Sequence, residues 1–189
     1  MSEARQSPRV QAGHVVLRPH TWDDVEFMTR ACQDPETTRW TMVPDPYDES
    51  HARGYIERIT GGAVDAEFPR WAICTVDDDS YMGNMGLVAR GKGAMKVGYF
   101  VAPWARGRGI ATIALWTACD WAFREGGCEV VHWDALPGND RSRRVAQKVG
   151  FQIKTDVMRK WVEVRGALAD SWLGDLLPED LVPLESLVR

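Results

Sequence analysis

Residues 97–123, VGYFVAPWARGRGIATIALWTACDWAF, decide how the chain folds, because they read as a strand, a glycine loop and a helix. Apolar Val97, Tyr99 and Val101 recur at every second position of the strand, and Pro103, which lacks a backbone N–H donor, ends its pairing. Small apolar residues then recur at helical spacing, which lets the helix lie close against a sheet. The loop, residues 106–111, places successive backbone N–H groups at the positive end of that helix. Such a terminus binds anions, most often phosphate.

Three kinds of glycine loop bind phosphate groups at such a turn, and residue spacing separates them. A P-loop requires Lys followed by Ser or Thr after its last glycine, but an Ile-Ala pair follows Gly109, so this class is excluded. A dinucleotide-binding fingerprint requires a third glycine where this chain has Thr112, although Glu129 stands about where an acidic ribose ligand is expected. The third pattern, Arg-x-x-Gly-x-Ala, matches residues 106–111.

That third pattern is typical of the GNAT superfamily of acetyl-coenzyme A-dependent N-acetyltransferases, which the chain resembles nearly from end to end. Residues 17–24 and the segment DPETTRW at 34–40 resemble the opening of the branch that contains ribosomal-protein-alanine acetyltransferases and their small-molecule relatives. The segment from NDRS to VGF, residues 139–151, is similar to the second signature of that branch, and residues 166–177 resemble its closing hairpin.

The resemblance implies a mixed α/β GNAT fold. We expect one domain over residues 1–189 with its core at about 14–178. Its central sheet is expected to have six to seven mostly antiparallel strands flanked by helices. The sheet is also expected to splay open at the acetyl-CoA site, between the strand that precedes the glycine loop and the next parallel strand.

Local patterns predict where the elements lie. We expect a loosely held N-terminal dozen, a first strand at 14–18, and a helix that is capped by Thr21, buries Phe27 and ends before Pro35. An apolar tail, residues 183–189, is expected either to dock as a short turn or to pack on a partner subunit. The other predicted elements are strands at 71–76, 81–88, 94–101, 129–135, about 151–164 and 168–177, and helices at 48–59, 110–125 and 140–149.

Acetyl-CoA is the co-substrate that the resemblance implies. Its pyrophosphate is expected on the N–H groups of the glycine loop, and its pantetheine arm along the splayed strand edge. N-capping alone also explains Asn139, and a solvated helix face also explains the basic residues of helix 140–149. The residues that the resemblance assigns to the cofactor are Phe100, Val101, Arg106, Gly107, Arg108, Gly109, Ile110, Ala111, Thr112, Asn139, Ser142, Arg144 and Lys148.

Two residues are the candidates for catalysis. The resemblance places the Ser142 hydroxyl near the thioester sulfur, where it would assist departure of the thiolate. Many relatives carry a glutamate base in the motif Glu-x-Gly-Tyr, but this chain has Lys96 at that position. Asp134, on the neighbouring strand beside the gap, is the expected substitute, and a bound water working alone is the alternative.

Composition limits the class of protein and its partners. With 44% hydrophobic and 26% charged residues the chain is an ordinary globular protein, and its net charge of −4 argues against nucleic acid and suits a cationic amine. No apolar run approaches the length of a membrane span, so no membrane partner is expected. The four cysteines show no paired spacing and no histidines at ligand spacing, which predicts free thiols, no metal site and a cytoplasmic protein. They are Cys32, Cys74, Cys119 and Cys128.

The sequence therefore predicts an N-acetyltransferase that acetylates a primary amine, on a protein N-terminus or a small molecule, by direct attack in a ternary complex. A CoA-binding sensor or regulatory module without turnover is the alternative that Lys96 keeps open, and a dinucleotide-binding oxidoreductase is the third. Trp40, Met42 and Tyr47 are candidates for lining the acceptor side, with core packing as the other explanation. A homodimer is one arrangement that the apolar tail allows. The acceptor, the acyl-chain preference and the oligomeric state are not determined by the sequence.

Overall fold

The computed structural model describes residues 7–61 and 68–188, and within them the strands form one mixed sheet with helices on both faces. Among the described residues the strands pair in the order β1-β2-β3-β4-β5-β6-β9-β7, with β8 also pairing β9, and only the β5–β6 pair is parallel. Nine strands therefore replace the six to seven predicted. The strands are β1 (Val10–Ala12), β2 (Val15–Pro19), β3 (Arg70–Thr75), β4 (Tyr81–Gly91), β5 (Ala94–Val101), β6 (Val130–Ala135), β7 (Gln152–Ile153), β8 (Met158–Val164) and β9 (Ala167–Leu176).

The helices lie between the strands and begin at polar capping residues in three cases. Asp34, Asp48 and Asn139 each accept a hydrogen bond from a backbone N–H of the first turn that follows them, as good N-caps do. Among the described residues, no helix has the length and apolar character needed to cross a membrane. The helices are α1 (Asp24–Cys32), α2 (Pro35–Trp40), α3 (Glu49–Thr60), α4 (Ile110–Arg124) and α5 (Asp140–Val149).

Alternation along the central strands divides the core between the two faces of the sheet. On β2, Leu17 belongs to the apolar layer beneath α4, whereas its neighbour Val16 belongs to the layer beneath α1 and α3. Ile113 of α4 packs into the first layer and Met28 of α1 into the second. Burial of side chains of this size contributes roughly 1.5–3 kcal/mol each. This packing fixes α4 against the sheet and thereby fixes the loop that joins it to β5.

The parallel strands β5 and β6 run side by side for only part of their length. They pair over residues 94–96 of β5 and 130–132 of β6. Beyond this point β5 continues to Val101 and β6 to Ala135, but the described residues contain no further pairing between them. The strands therefore splay as predicted, and backbone N–H and C=O groups along the gap are left for another partner.

The N-terminal hairpin was not predicted. Residues 10–12 were expected to be loosely held, but they pair antiparallel with β2, and Ala12 is buried against the main core. Residues 1–6, which the same prediction covered, lie outside the described residues. A three-residue strand gives too short an alternation to recognise in sequence, and its pairing depends on β2.

Two expectations for the first helix are wrong. Asp23, not Thr21, holds the N-cap position of α1, and the Thr21 backbone N–H donates to the Asp24 carboxylate at 2.9 Å. Phe27 was expected in the core but is 41% exposed and lies over the Tyr81 ring. Helix α1 ends at Cys32, before Pro35 as predicted, and Pro35 occupies the first turn of α2, where a missing N–H costs nothing.

Both ends of the closing region also differ from expectation. The single strand predicted at about 151–164 is interrupted: β7 pairs with the end of β9 and β8 with its beginning, and residues 154–157 separate the two strands. The tail docks on its own chain, which was one of the two expectations for it. Leu184 and Leu187 pack against the main core, and residues 184–186 form one 3₁₀ turn.

Candidate active site

A cleft of about 690 Å³ opens between α2, the end of β5, the glycine loop and α5. Its volume lies in the range of sites that take drug-sized or cofactor-sized ligands. The splay of β5 from β6 forms one side of the cleft, and the first turn of α4 forms another. Its lining residues are Glu36, Thr37, Trp40, Thr41, Tyr99, Phe100, Val101, Ala105, Arg106, Gly107, Gly109, Ile110, Ala111, Thr112, Asn139, Arg141, Ser142, Arg144, Val145 and Lys148.

The glycine loop has the geometry of an anion cradle. Gly107 and Gly109 have φ angles of +77° and +76°, which non-glycine residues adopt only at a cost, and a Cβ at either position would meet no heavy atom within 4 Å. The first intrahelical bond of α4 runs from the Thr112 N–H to the Gly109 carbonyl at 3.0 Å. The N–H groups from Gly107 to Ala111 come before that bond, and within the described residues they donate to no backbone carbonyl. They are the donors that can bind phosphate oxygens.

The side chain of Arg106 is engaged within the protein. Its Nη2 donates to Asp34 Oδ2 at 2.6 Å and to Thr37 Oγ1 at 2.9 Å, and its Nε donates to the Val101 carbonyl at 3.2 Å. Burial raises the pKa of Asp34, but the bonds from Arg106 and from the Thr37 backbone outweigh it, so the pKa lies below its usual range. Arg106 thus holds α2 against the glycine loop.

Helix α5 brings both polar and basic residues to the cleft. Asn139 caps it, with Oδ1 accepting from the Ser142 N–H at 3.2 Å, and it also lines the cleft. Arg144 and Lys148 lie on the face that the sequence predicted, so a negatively charged ligand would meet them both. Arg143 instead lies over the Trp172 ring at 5.0 Å and is absent from the lining.

The Ser142 hydroxyl sits at the centre of a small hydrogen-bond network. The Trp133 indole N–H donates to Ser142 Oγ at 3.2 Å, and the Tyr99 hydroxyl lies 3.0 Å from the same oxygen. Because the indole can only donate, the hydroxyl proton of Ser142 is directed away from Trp133. Ser142 can therefore donate a proton into the cleft while it accepts one from Tyr99.

Tyr99 is held in its neutral form. Burial raises its pKa to about 12, although hydrogen bonds to Ser142 and from Trp133 act in the opposite direction. A neutral phenol remains a proton donor throughout the physiological range. Tyr99 was predicted as a residue of the strand, but its contact with Ser142 was not predicted. The Gly98-Tyr99 pair belongs to the family motif and could have drawn attention to this tyrosine. Its contact with Ser142, however, arises only when the chain is folded.

A second, smaller cavity of about 170 Å³ adjoins the cleft in the gap between β5 and β6. The two cavities share Trp40, Thr41, Tyr99, Asn139 and Ser142, so they adjoin around these side chains. Apolar side chains form much of the wall. The remaining lining residues are Met42, Lys96, Val97, Gly98, Trp133, Asp134, Ala135, Leu136, Val162 and Val164.

An ion pair lies in this smaller cavity. Lys96 Nζ is 2.5 Å from Asp134 Oδ1, and the two side chains are only 17% and 12% exposed. Lys96 pairs with His132 on the neighbouring strand, and Asp134 stands two residues further along that strand. Because side chains two residues apart point to the same face of a sheet, Asp134 lies on the same face as Lys96 and can contact it. Lys96 stands where many relatives carry the glutamate base. It therefore contacts Asp134, the residue predicted to act as the base in place of that glutamate.

The structure brings together nearly all of the predicted site residues. Every residue assigned to the cofactor lines the larger cleft except Arg108, whose side chain is exposed. Trp40 lines both cavities and Met42 the smaller one, whereas Tyr47 is buried in the core layer beneath α1 and α3. The four cysteines are free and buried, as predicted. Among the described residues, no group of three His, Cys, Asp or Glu side chains is arranged to hold a metal ion.

Comparison with known proteins decides the family. The sequence profile of the acetyltransferase (GNAT) domain matches residues 14–152, which is well over half of the chain. The chain belongs to the GNAT acetyltransferase family. It is 33% identical over 130 residues to "Probable N-acetyltransferase YjcK" of Bacillus subtilis, an alignment that covers 67% of this chain and 69% of that protein.

Solved GNAT structures share the fold. Mycobacterium smegmatis RimJ in complex with CoA-disulfide superposes with a TM-score of 0.81 at 23% identity, covering 98% of this chain and 94% of that one. Ribosomal-protein-S5-alanine acetyltransferase from Vibrio fischeri superposes with a TM-score of 0.73 at 17% identity, covering 94% of this chain and all of that one. The GNAT domain is an acyltransferase fold, so the dinucleotide-binding alternative is excluded. The predicted membership of the GNAT superfamily is confirmed.

Proposed function

We propose that this GNAT protein transfers an acetyl group from acetyl-CoA to a primary amine by direct attack within a ternary complex. The observation that carries the proposal is the junction of the two cavities at Ser142. The larger cavity ends in a phosphate-binding loop, and the smaller one has the size of a compact acceptor. A thioester bound in the first and an amine bound in the second would meet at that hydroxyl.

The residues present fit acetyl-CoA. The N–H groups from Gly107 to Ala111 would bind the pyrophosphate, and Arg144 and Lys148 would neutralise its remaining phosphate charge. The unpaired edge of β5 near Phe100 and Val101 would pair with the amides of the pantetheine arm. When bound, the group supplies a thioester carbonyl, which an amine attacks with loss of a thiolate.

The reaction balances through residues of this chain. A nitrogen–carbon bond forms, the carbon–sulfur bond breaks, and the proton that the nitrogen loses equals the proton that the sulfur gains. Ser142 would give its proton to the departing thiolate, and Tyr99 would replace it through their 3.0 Å contact. Asp134 would take the proton from the amine and release it to solvent, and Tyr99 would regain one proton from solvent, so that all three side chains return to their starting forms. A backbone N–H near Val101, at the splayed edge, would stabilise charge on the carbonyl oxygen.

The first experiment measures binding and turnover in the same samples. Acetyl-CoA, CoA and NAD are titrated by calorimetry, and free-thiol release is then followed with a panel of amines, with mass spectrometry of the product. We expect both CoA forms to bind, NAD not to bind, and thiol release to depend on an amine. Tight CoA binding with no thiol release from any amine would instead support a CoA-binding sensor, the alternative favoured by Lys96 in place of glutamate.

The pH dependence tests the role of Asp134. If this carboxylate takes the amine proton, Asp134→Asn abolishes the acidic limb of the pH–rate profile. A variant that keeps the wild-type acidic limb would assign the proton to water instead.

Size-exclusion chromatography with light scattering measures whether the protein forms a homodimer. We further propose that residues 1–189 are one domain, with its core at about 14–178, and that the protein acts in the cytoplasm.

A further inference from the structure

The smaller cavity presents two opposite charges to whatever enters it. Lys96 and Asp134 both line it and contact each other through one oxygen at 2.5 Å. An ammonium has three donors and a carboxylate two acceptor oxygens, so one contact leaves capacity on both groups. Within the described residues, neither side chain has another ionic partner. The cavity therefore offers a donor and an acceptor side by side.

Much of the rest of the wall is apolar, and its polar members are Thr41, Tyr99, Asn139 and Ser142. Met42, Val97, Val162 and Val164 contribute aliphatic side chains, and Trp133 contributes an aromatic ring that is 2% exposed. The volume of about 170 Å³ is below the roughly 300–1,000 Å³ of sites for drug-sized ligands. A ligand matched to this cavity is small and has one apolar group beside its charged groups.

One side of the cavity is closed by a contact between distant parts of the chain. Arg165, at the tip of the β8–β9 hairpin, donates to the carbonyls of Thr38, Thr41 and Val43, the last two at 3.2 and 3.4 Å. It directly follows Val164, and both Val164 and Thr41 line the cavity. The hairpin is therefore held against the segment that follows α2. This closure favours a short molecule over the end of a protein chain.

From these features we infer that the acceptor is a free α-amino acid with an apolar side chain. The inference rests on the acetyltransferase function proposed above and names the substrate class of that same site. Its carboxylate pairs with Lys96 and its ammonium with Asp134, so each protein charge meets an opposite one. A polyamine would bring a second cation beside Lys96, and an amine without a carboxylate would leave the donors of Lys96 unpaired.

The transfer balances for such a substrate. The ammonium proton leaves to solvent by way of Asp134, and the neutral nitrogen then attacks the thioester carbon. The nitrogen–carbon bond forms as the carbon–sulfur bond breaks, and the second proton lost by nitrogen ends on the sulfur through Ser142. The products are an N-acetylamino acid, free CoA and one proton.

A matched series of acceptors tests this on the wild-type protein. L-Phenylalanine, its amide and phenethylamine differ only in the carboxyl group, and spermidine and an alanine-ended hexapeptide represent the other amine classes. We expect kcat/KM for phenylalanine to exceed that for the amide and for phenethylamine by about tenfold or more, because a charge-assisted bond is lost in both. Calorimetry of phenylalanine with the CoA-bound protein gives a second readout that needs no turnover.

Two lysine variants complete the test. Lys96→Met is expected to remove the preference for the free acid over the amide. Lys92→Met makes the same change at an exposed position just before β5 and is expected to keep the wild-type preference. Because Lys96→Met leaves Asp134 without its partner, the double variant Lys96→Met/Asp134→Asn serves in the calorimetric test if the single variant does not fold.

The outcomes separate the inference from the proposed function. Acetylation of phenethylamine, spermidine or the hexapeptide as efficiently as phenylalanine would overturn the inference and leave the proposed function intact. A preference for the free acid that survives in Lys96→Met would also overturn it. Binding of acetyl-CoA with no turnover of any amine would overturn the proposed function and the inference with it.

Discussion

Replacement of Gly109 by alanine separates the cost of a strained backbone from the loss of a phosphate-binding surface. Gly109 has φ +76°, and a Cβ built there meets no heavy atom within 4 Å. The substitution therefore clashes with nothing in the protein. It does place a methyl group in the cleft that Gly109 lines, beside the N–H groups at the start of α4.

Gly127 provides a matched control. Its φ is +63°, a Cβ there also meets nothing within 4 Å, and it follows the C-terminal end of α4, outside the cleft lining. An L-residue in this backbone region costs roughly 1–2 kcal/mol. For a protein of this size that corresponds to a fall in Tm of roughly 2–8 °C. Gly109→Ala and Gly127→Ala are expected to lose similar stability.

Affinity for CoA is where the two variants should differ. A methyl group at position 109 prevents at least one backbone N–H from reaching a phosphate oxygen. Hydrogen bonds to charged groups contribute about 1.5–3 kcal/mol, so CoA binding weakens by roughly 10- to 150-fold. Gly127→Ala is expected to bind CoA as the wild type does. Calorimetric titration at fixed ionic strength measures affinity, and denaturant unfolding measures stability.

Two results would refute this reasoning. If Gly109→Ala bound CoA within about threefold of Gly127→Ala, the N–H groups of the glycine loop would not be the phosphate site. If both variants lost affinity equally, the effect would come from general loosening of α4.

Three further predictions concern the chemistry, the packing and the pH dependence of stability. Ser142→Ala should lower kcat by about tenfold while leaving CoA affinity unchanged, because thiolate is a good leaving group that needs only modest help from an acid. If stopped-flow measurement of thiol release showed an unchanged kcat, Ser142 would not be the acid. Gly150→Ala should destabilise the fold by about 2 kcal/mol or more, lowering Tm by roughly 4–8 °C in calorimetry, because its Cβ would lie 2.0 Å from the Asp180 carbonyl oxygen. Burial lowers the pKa of His20 below its usual 6.5, despite the nearby Asp24 carboxylate, so the unfolded chain binds a proton that the folded one does not. Stability should therefore fall by up to about 1.4 kcal/mol per pH unit below 6.5, and denaturant unfolding at pH 7 and pH 5 should show a smaller loss for His20→Phe.

The parts of the fold that the sequence predicted well are those determined locally. The bounds of α5 agree with prediction because Asn139 supplies a cap and Gly150, at φ +118°, supplies a stop. The glycine loop was identified because its spacing constrains the backbone directly. The parallel pairing of β5 with β6 followed from a long helix between two apolar strands.

Features that depend on contacts between distant residues were not predictable in the same way. Pro35 reads as the end of a helix, yet Asp34 before it can cap a new one, and the Arg106 guanidinium favours that outcome from 72 positions away. The network of Tyr99, Trp133 and Ser142 exists because two strands diverge and a helix follows. No local sequence pattern predicts that these three side chains come together.

The two cavities are built from the chain in different ways, and this bears on how the protein can change. The larger cleft draws most of its lining from α2 and from two continuous segments, residues 99–112 and 139–148. The smaller cavity also takes residues 162 and 164 from the β8–β9 hairpin, a surface element that contributes nothing to the larger one. Replacement of that hairpin alters the acceptor side alone. The range of acceptor substrates can therefore change among descendants of such a protein while the acyl donor stays the same. A mutant library confined to the hairpin is the most direct way to change the acceptor.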